Sequence, residues 1–323
     1  MSLSLSKLER EKIDESIMMP FEYLNKVNSK YHQKLMLAMN YWLQAPEDKV
    51  QQIGEILQII HTVTLMMDDI QDDSKLRYGV PVTHQVHGLG LTINAASNAL
   101  ANALKKIVAL DNPMAIDIYL EALLDSHRGQ GIDIYWRDNY ICPTEEEYID
   151  LLKLKAAPYF IFAVKMLKLF SRSKSNEDYV NIAILIGLYY NLRDDYCNLF
   201  NHEGLKSLSE TDAYRVPIIT EEVLRLDSDI TEGKFSLPII HALESHPESA
   251  SQILNILKQR TKDLTLINHC ISMLKKLGCD SYTEDMLRTI ETDIQKEINR
   301  LGGNPALVSL IKELGNWRRQ GME

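Results

Sequence analysis

Apolar side chains recur at helical spacing along most of this chain. From residue 51 to residue 67 they follow one another three or four positions apart, which places them on one face of a helix. The residues of this stripe are Ile53, Ile56, Leu57, Ile60, Val63, Thr64 and Met67. Similar stripes cover residues 89–110, 114–134, 145–170, 178–199, 236–242, 251–257, 264–277 and 282–301. No stretch alternates convincingly as a strand would, so the pattern predicts an all-α chain.

Residues that begin, end or bend helices fall at sensible places in this pattern. Thr144 precedes three glutamates, which predicts a helix N-cap followed by an acidic first turn. The run Gly302-Gly303-Asn304-Pro305 predicts the end of one helix and the start of a short final one. Pro158 interrupts the stripe of residues 145–170, and it predicts a kink there because proline cannot donate to the helical ladder.

Residues 201–229 form the longest irregular stretch of the chain. Loops of this length in compact proteins are usually functional lids or disorder, and we interpret this one as a lid. The chain has only 14 glycines and 10 prolines, with no low-complexity linker. We therefore expect one helical domain over residues 1–323, with a flexible N-terminal segment at residues 1–19.

Composition excludes several classes of partner. With 35 basic and 45 acidic residues among 323, the formal net charge is 35 − 45 = −10, which argues against binding to nucleic acid or to an anionic membrane surface. No window supplies the ~18 apolar residues needed for a membrane span, and the first residues lack a secretory apolar core. The four cysteines show no metal-binding or disulfide spacing, which favours reduced thiols in the cytoplasm.

Four aspartates follow directly on the apolar stripe that ends at residue 67. Asp68 and Asp72 are four residues apart, as are Asp69 and Asp73, and like charges at this spacing destabilise a helix. The negative end of the helix dipole adds to that repulsion. A bound cation would relieve it, and carboxylate oxygens suit Mg²⁺. The alternative is a solvated acidic helix end.

A second acidic pair, Asp194 and Asp195, ends another apolar stripe. Carboxylates on otherwise apolar helices are costly to bury alone. Facing the first cluster across a cavity, this pair would hold Mg²⁺ ions that bridge a diphosphate. The alternative is a surface ion pair formed with Arg193.

Basic and aromatic residues near these clusters suit a phosphorylated substrate. Phosphate partners would be Lys75, Arg77, Lys155 and Lys234, although each of them alone is equally a surface charge. Aromatic residues that would line a pocket are Tyr159, Phe160, Phe162, Tyr189 and Tyr190, with core packing as the alternative.

Five segments together resemble the trans-isoprenyl diphosphate synthases, and among them the geranylgeranyl diphosphate synthases most. They read DDIQDDSKLRYG (68–79), GQGIDIYWRDNYICP (129–143), RDDYCNL (193–199), ITEGKFSLP (230–238) and GGNPALV (302–308). The likeness covers residues 20–312. It implies the isoprenoid synthase fold, a helical bundle around a deep central pocket. It also implies a homodimer and three Mg²⁺ ions per active site.

The resemblance also implies roles for individual residues. Metal ligands would be Asp68, Asp72 and Asp194, with Asp69 supporting them. Groups holding the allylic diphosphate would be Arg77, Lys155 and Lys234, supported by Gln130. Residues contacting the rest of the substrate would be Phe160, Tyr190 and Asn191, the last two replacing the family's Phe-Gln. The pocket floor would be Val63 and Thr64, which are not aromatic and leave room for a long prenyl chain.

The second diphosphate site of the family, which holds isopentenyl diphosphate, has lost its charges in this chain. Asn28, Ser29 and His32 stand where the family has Gly, Lys and Arg, and Tyr78 replaces an arginine after Arg77. Each missing charge-assisted contact is worth about 1.5–3 kcal/mol. This selective loss predicts a class I terpene synthase that ionises geranylgeranyl diphosphate without a second substrate. In this respect the chain resembles some insect terpene synthases that have the same fold.

Two other functions stay open at this point. A working geranylgeranyl diphosphate synthase would need Lys30 and His61 to rescue the second site. A non-catalytic regulatory subunit of a prenyl synthase would have no need of six clustered carboxylates. Whether Asn198 or Glu203 joins Asp194 in metal binding is equally open.

Overall fold

The computed structural model describes residues 6–29, 31–200 and 229–316. Its helices in chain order are α1 (Lys7–Ile17), α2 (Met19–Val27), α3 (Tyr31–Leu43), α4 (Glu47–Gln71), α5 (Thr83–His87), α6 (Leu89–Val108), α7 (Pro113–Asn139), α8 (Glu145–Lys155), α9 (Ala157–Leu169), α10 (Val180–Phe200), α11 (Asp229–Glu232), α12 (Leu237–Ser245), α13 (Pro247–Leu257), α14 (Leu264–Lys276), α15 (Cys279–Arg300) and α16 (Pro305–Leu314). A two-residue hairpin, β1 (Leu76–Arg77) and β2 (Val80–Pro81), interrupts them. The prediction of an all-α chain is confirmed.

Helices α4, α9 and α10 lie at the centre of the bundle. Helix α4 packs against α3, α6 and α9, and α10 packs against α9 and α15. Leu57, Phe162 and Ile186 from these three helices are almost fully buried. Burial of each such side chain contributes about 1.5–3 kcal/mol, so the stripes found in the sequence form the core.

A smaller apolar cluster joins the N-terminal helices to the end of α4. It contains Phe21 and Leu24 from α2, Val63 and Met66 from α4, and three alanines of α6. Since Met66 lies two residues before Asp68, this packing anchors the end of α4 next to the acidic cluster.

The local signals that predicted helix boundaries are confirmed. Thr144 Oγ1 accepts from the Glu147 amide at 3.2 Å, and Glu147 Oε2 accepts from the Thr144 amide at 2.8 Å, which completes a capping box at the start of α8. Pro158 lies in the first turn of α9, and Ala156 separates that helix from α8. Asn304 caps α16 by accepting from the Leu307 amide.

The first residues contain more regular structure than expected. Within the segment predicted to be flexible, Ser6 caps α1 through a capping box with Glu9, and the side chains described in this helix are mostly exposed. Of the predicted lid at residues 201–229, residues 201–228 lie outside the described residues, and Asp229 begins α11. Within the described ranges, no helix combines the length and hydropathy that a bilayer crossing requires.

Candidate active site

The first acidic cluster divides into inward and outward side chains where α4 ends. Asp68 and Asp69 lie in the last turn, with Asp69 fully buried, and Asp72 caps the helix with its amide on the Asp68 carbonyl. Asp73 adopts a left-handed backbone with φ 54° and turns outward, where its carboxylate meets Lys75 at 2.6 Å. Lys75, a predicted phosphate partner, therefore lies on the solvent side of the cluster.

The β1–β2 hairpin brings Arg77 back onto the same cluster. Its turn contains Tyr78 at φ 53° and Gly79 at φ 83°, the two positive values that a tight type I′ turn requires. Arg77 Nη2 lies 2.9 Å from Asp68 Oδ2 and 2.6 Å from Asp69 Oδ1, and Nε donates to Asp69 Oδ1 at 2.8 Å. Arg77 thus directly contacts Asp68, one of the three predicted metal ligands. We refer to these ligands, Asp68, Asp72 and Asp194, as the metal wall.

One face of α7 supplies the next set of contacts. Gln130 Nε2 donates to Asp68 Oδ1 at 3.1 Å and to Gln71 Oε1 at 3.0 Å. One turn further on, Asp133 Oδ2 accepts from Lys155 Nζ at 2.5 Å, which brings the end of α8 to this face.

Arg137, a further turn along α7, binds the end of α4. It donates to the Asp72 carboxylate and, at 2.9 Å, to the Gln71 carbonyl. The side chains of Arg137 and Asp72 are 7% and 9% exposed, so this ion pair is buried.

The second acidic pair sends its two carboxylates to different places. Asp194 is about one-third exposed (34%) and lies 3.2 Å from Arg193 Nη1. Asp195 is buried and accepts from Tyr148 Oη at 2.6 Å and from the Leu237 amide at 3.3 Å. The ion pair with Arg193 that was the alternative does form, but it is not a surface pair, because Arg193 is completely buried and also donates to the Leu314 carbonyl.

Helix α11 and the turn after it close the site from a third side. Asp229 is fully buried and accepts from Asn198 Nδ2 at 3.2 Å, so Asn198 faces α11. Lys234 Nζ lies 4.0 Å from Asp229 Oδ1. The other Asp229 oxygen is buried and finds no hydrogen-bond partner among the residues that the structure describes. Glu203, the other candidate metal residue of this region, lies outside the described residues.

Charge effects link these side chains into one region. Burial raises the pKa of Asp72 to about 7, with the negative Asp68 adding to the shift, although Lys155 and Lys234 oppose it. Burial alone would also raise the pKa of Asp68, but Lys155, Arg77 and Lys234 outweigh it and hold that pKa below its usual range. The two aspartates therefore respond to the same lysines.

The opposite wall responds to the same basic side chains. Burial raises the pKa of Asp194 despite the opposing charges of Arg193, Lys234 and Arg77. Burial raises the pKa of Glu232 well above its usual range, and the negative Asp72 is the next cause. The structure thus brings Asp68, Asp72 and Asp194 into the field of Lys234, and Asp68 and Asp194 into that of Arg77 as well.

Aromatic rings fill the side where the sequence had lost its charges. His32 stacks on Phe160 with ring centroids 5.2 Å apart, and His61 lies against His32 with ring centroids 4.0 Å apart. Tyr31 and Tyr190 border the same stack. Burial lowers the pKa of His32 to about 4 and that of His61 well below its usual value, so both rings are neutral near pH 7.

Uncharged hydrogen bonds complete this side. Asn28 donates from Nδ2 to Thr62 Oγ1 at 2.9 Å and accepts from Tyr78 Oη at 3.2 Å, so two of the replaced positions bind each other. Ser29 is buried and accepts from the Tyr31 amide. Lys30, the shifted lysine, lies outside the described residues.

The predicted floor and substrate-contact residues occupy different surroundings. Val63 is buried in the small N-terminal cluster. Thr64 Oγ1 lies 2.7 Å from Tyr159 Oη and donates to the Ile60 carbonyl, so an aromatic side chain adjoins the non-aromatic floor. Asn191 Nδ2 donates to the Gly187 carbonyl one turn earlier in α10.

The sequence reasoning missed several side chains that the fold places in this region. They are Gln71, Asp133, Arg137, Tyr148, Asp229 and Glu232. A signal existed for two of them, because Gln130, Asp133 and Arg137 are spaced three and four residues apart and share one face of α7. No local pattern marks Tyr148, whose partner lies 47 residues away.

Known proteins resemble this chain over nearly its whole length. The profile of the polyprenyl synthetase family matches residues 14–274. A terpene synthase of Matsumurasca onukii is 41% identical over 308 residues, which cover 95% of each chain. A geranylgeranyl pyrophosphate synthase of Mucor circinelloides f. lusitanicus is 37% identical, covering 96% of this chain and 97% of its own. One of Dictyostelium discoideum is 36% identical, covering 95% of each chain.

Proposed function

This chain belongs to the polyprenyl synthetase family, and we propose that it is a class I terpene synthase. The proposed reaction ionises a prenyl diphosphate, preferably geranylgeranyl diphosphate, with Mg²⁺ and releases a terpene hydrocarbon and diphosphate. One observation carries the proposal. The acidic and basic groups of the allylic side face one another, while the isopentenyl side is filled by neutral rings around His32.

The carboxylates fit a divalent cation. Asp68 and Asp72 are close enough that the first raises the pKa of the second, and a cation between them would relieve this repulsion. Within the described part of the chain, Asp229 has one buried oxygen without a hydrogen-bond partner, which is consistent with a further positive group binding there. Within the described ranges no cluster of three or more acidic, histidine or cysteine ligands is already assembled. We expect Asp68, Asp72 and Asp194 to hold the cation, with Asp69 orienting Arg77.

Bound Mg²⁺ would supply Lewis-acid stabilisation of the leaving diphosphate. The chain itself contributes Arg77, Lys155 and Lys234, which would donate hydrogen bonds to the same oxygens as negative charge develops there. Nearby carboxylates raise the pKa of Lys234 well above its usual range, although burial opposes this, so it stays protonated. The three cations therefore stabilise the departing group without a proton transfer.

The isopentenyl side is poorly suited to a second diphosphate. A buried His32 whose pKa is about 4 carries no charge near pH 7, and its ring is already covered by Phe160. His61 would have to be protonated to rescue the site, yet burial, His32 and Arg77 all lower its pKa. Desolvating a dianionic group against neutral rings is unfavourable, which supports intramolecular capture of the allylic cation instead.

The preference for a C20 substrate rests on kinship. Two of the similar proteins are named geranylgeranyl pyrophosphate synthases, and the resemblance in GQGIDIYWRD is to the same branch. Tyr159 beside Thr64 narrows the region that the floor residues leave open, so C15 and C20 substrates belong in the same assay.

Product analysis tests the proposal. Purified protein is incubated with Mg²⁺ and C10, C15 or C20 allylic diphosphates, each with and without isopentenyl diphosphate, and products are identified by gas chromatography. We expect a hydrocarbon from geranylgeranyl diphosphate alone. Absence of hydrocarbon from all three substrates would reject the proposal.

The second candidate is a geranylgeranyl diphosphate synthase, which the names of two similar proteins favour. Elongated product that forms only when isopentenyl diphosphate is present would support it over the terpene synthase. A regulatory subunit is a third candidate. Inactivity of the purified chain, together with co-purification of an active prenyl synthase, would support that reading instead of the proposed homodimer.

A further inference from the structure

The loop between α13 and α14 connects two walls of the candidate site. Arg260 Nη2 donates to Asp138 Oδ1 at 2.6 Å, which ties the loop to the end of α7. Two residues on, Lys262 Nζ lies 3.7 Å from Asp73 Oδ2 at the end of α4. The loop therefore meets both helices whose last turns carry the acidic cluster and Arg137.

The Arg260 contact continues inward to the proposed metal wall. Asp138 Oδ1 also accepts from Arg137 Nε at 3.1 Å, and Arg137 Nη1 donates to Asp72 Oδ1. A continuous line of charge-assisted hydrogen bonds thus runs from Arg260 through Asp138 and Arg137 to Asp72. Its outer end is 40% exposed and its inner end is buried.

Arg260 also covers the turn that presents Lys234. Gly233 has φ 75°, and a Cβ atom there would lie 3.1 Å from both Cγ and Nε of Arg260. The arginine stem therefore packs directly on the Gly233 backbone, one residue before the proposed diphosphate ligand.

The backbone of Arg260 is itself unusual, with φ 45° in the left-handed region that residues with a Cβ disfavour. Glycine or asparagine would adopt this conformation more easily. Arginine at such a place suggests that its side chain is needed there, since its backbone preference works against it.

We propose that Arg260 is a positioning residue for the ionisation step. It holds Asp72 in its metal-binding orientation through Asp138 and Arg137, and it fixes the Gly233 turn so that Lys234 faces the same metal wall. This inference rests on the proposed function, but it concerns binding geometry and is testable without turnover.

Arg260→Asn removes the charge while suiting the left-handed backbone, and Arg260→Lys keeps the charge. The matched control is Arg128→Gln, which removes a surface arginine of α7 that is 64% exposed and pairs with Asp125 of the same helix. Binding of Mn²⁺, an oxygen-seeking substitute for Mg²⁺, is followed by electron paramagnetic resonance in the presence of inorganic diphosphate. The free energy of unfolding is measured for each variant by chemical denaturation.

We expect Arg260→Asn to weaken Mn²⁺ binding by about tenfold, as losses behind a metal ligand commonly do, with unchanged stability. Arg260→Lys should keep part of the Mn²⁺ affinity that Arg260→Asn loses. Adding Asp138→Asn to Arg260→Asn should lower the affinity little further, because Arg260 and Asp138 act through the same line of hydrogen bonds. Unchanged Mn²⁺ binding in Arg260→Asn, or an equal loss in Arg128→Gln, overturns the inference. A wild-type chain that binds Mn²⁺ but forms no hydrocarbon rejects the lyase alone.

Discussion

Gly129 offers a sharp test of the packing that positions Lys155. It lies in the middle of α7, where α7 touches the end of α8. A Cβ atom at Gly129 would lie 2.5 Å from the Lys155 amide nitrogen and 2.7 Å from both the Leu154 carbonyl carbon and the Lys155 Cα. All three are backbone atoms, so no side-chain rotation can relieve the contact. At Gly131, two residues further on, no atom of the described chain outside the neighbouring backbone of α7 lies within 4 Å of an ideal Cβ.

These distances determine the expected cost of Gly129→Ala. Ordinary carbon contacts lie at about 3.5–4.0 Å, so the two helices would have to separate by about 1 Å. Overpacking of this kind costs about 1–3 kcal/mol, against which alanine returns about 1 kcal/mol of helix propensity. In Gly131→Ala only the propensity gain remains. We therefore expect Gly129→Ala to lower the free energy of unfolding and Gly131→Ala to leave it equal or higher.

The same separation should reduce activity more than stability. Lys155 Nζ reaches Asp133 across this helix contact, and Gln130, the residue after Gly129, donates to Asp68 of α4. A displacement of about 1 Å in such groups can cost about 10²-fold in rate. The assays are chemical denaturation and diphosphate release from the preferred substrate. If Gly129→Ala matches Gly131→Ala in both stability and turnover, the close approach of α7 and α8 at Lys155 is wrong.

Three further predictions concern a buried histidine, a metal wall and a helix cap. Burial lowers the pKa of His32 to about 4, whereas in the unfolded chain it titrates near 6.5, so stability that is present above pH 6.5 is lost as the pH falls to about 4. The expected loss is about 3 kcal/mol of unfolding free energy. Chemical denaturation should show this loss when wild type is compared with His32→Phe, and not when it is compared with His269→Gln. Stability curves of wild type and His32→Phe that run parallel over this pH range would contradict the prediction. Asp194→Asn should cut diphosphate release by about 10²–10³-fold. It should not destabilise the fold, because burial already disfavours the Asp194 charge. Near-normal diphosphate release would show that Asp194 does not belong to the metal wall. Thr144→Ala should cost about 1 kcal/mol of unfolding free energy through loss of the α8 cap, with unchanged product identity.

Signals confined to a few neighbouring residues were sufficient for much of the fold. Thr144, Pro158 and Asn304 each act on the backbone within one turn. Side-chain capping and the missing amide hydrogen of proline therefore predict their effects without tertiary information. The flexible segment expected at residues 1–19 shows the limit of this reasoning. A capping box at Ser6 starts a helix whose apolar stripe is too weak to read from periodicity.

The acidic part of the candidate site was predictable, because its carboxylates cluster in the sequence. Asp68, Asp72 and Asp194 were identifiable because clustered carboxylates on apolar helices demand compensation. Two partners of Asp68, Arg77 and Gln130, were also identifiable, but Arg137 was not, since it reaches Asp72 across 65 residues of sequence. Which aspartate of the first cluster faces inward also depended on tertiary structure, because the left-handed backbone at Asp73 turns that side chain away.

The side chains proposed to bind diphosphate are already engaged with carboxylates of the same site. Arg77 contacts Asp68 and Asp69, and Lys155 contacts Asp133. These pairs offset charges that would otherwise be costly to bury. If a cation took over the Asp68 and Asp72 carboxylates, Arg77 would keep its contacts with Asp69 and would lose its Asp68 partner, which a phosphate oxygen would replace. Binding of metal and diphosphate together would therefore exchange partners, whereas metal alone would leave Arg77 without its Asp68 partner. This linkage predicts that Mn²⁺ affinity rises with diphosphate present, and by the same factor that diphosphate affinity rises with Mn²⁺ present.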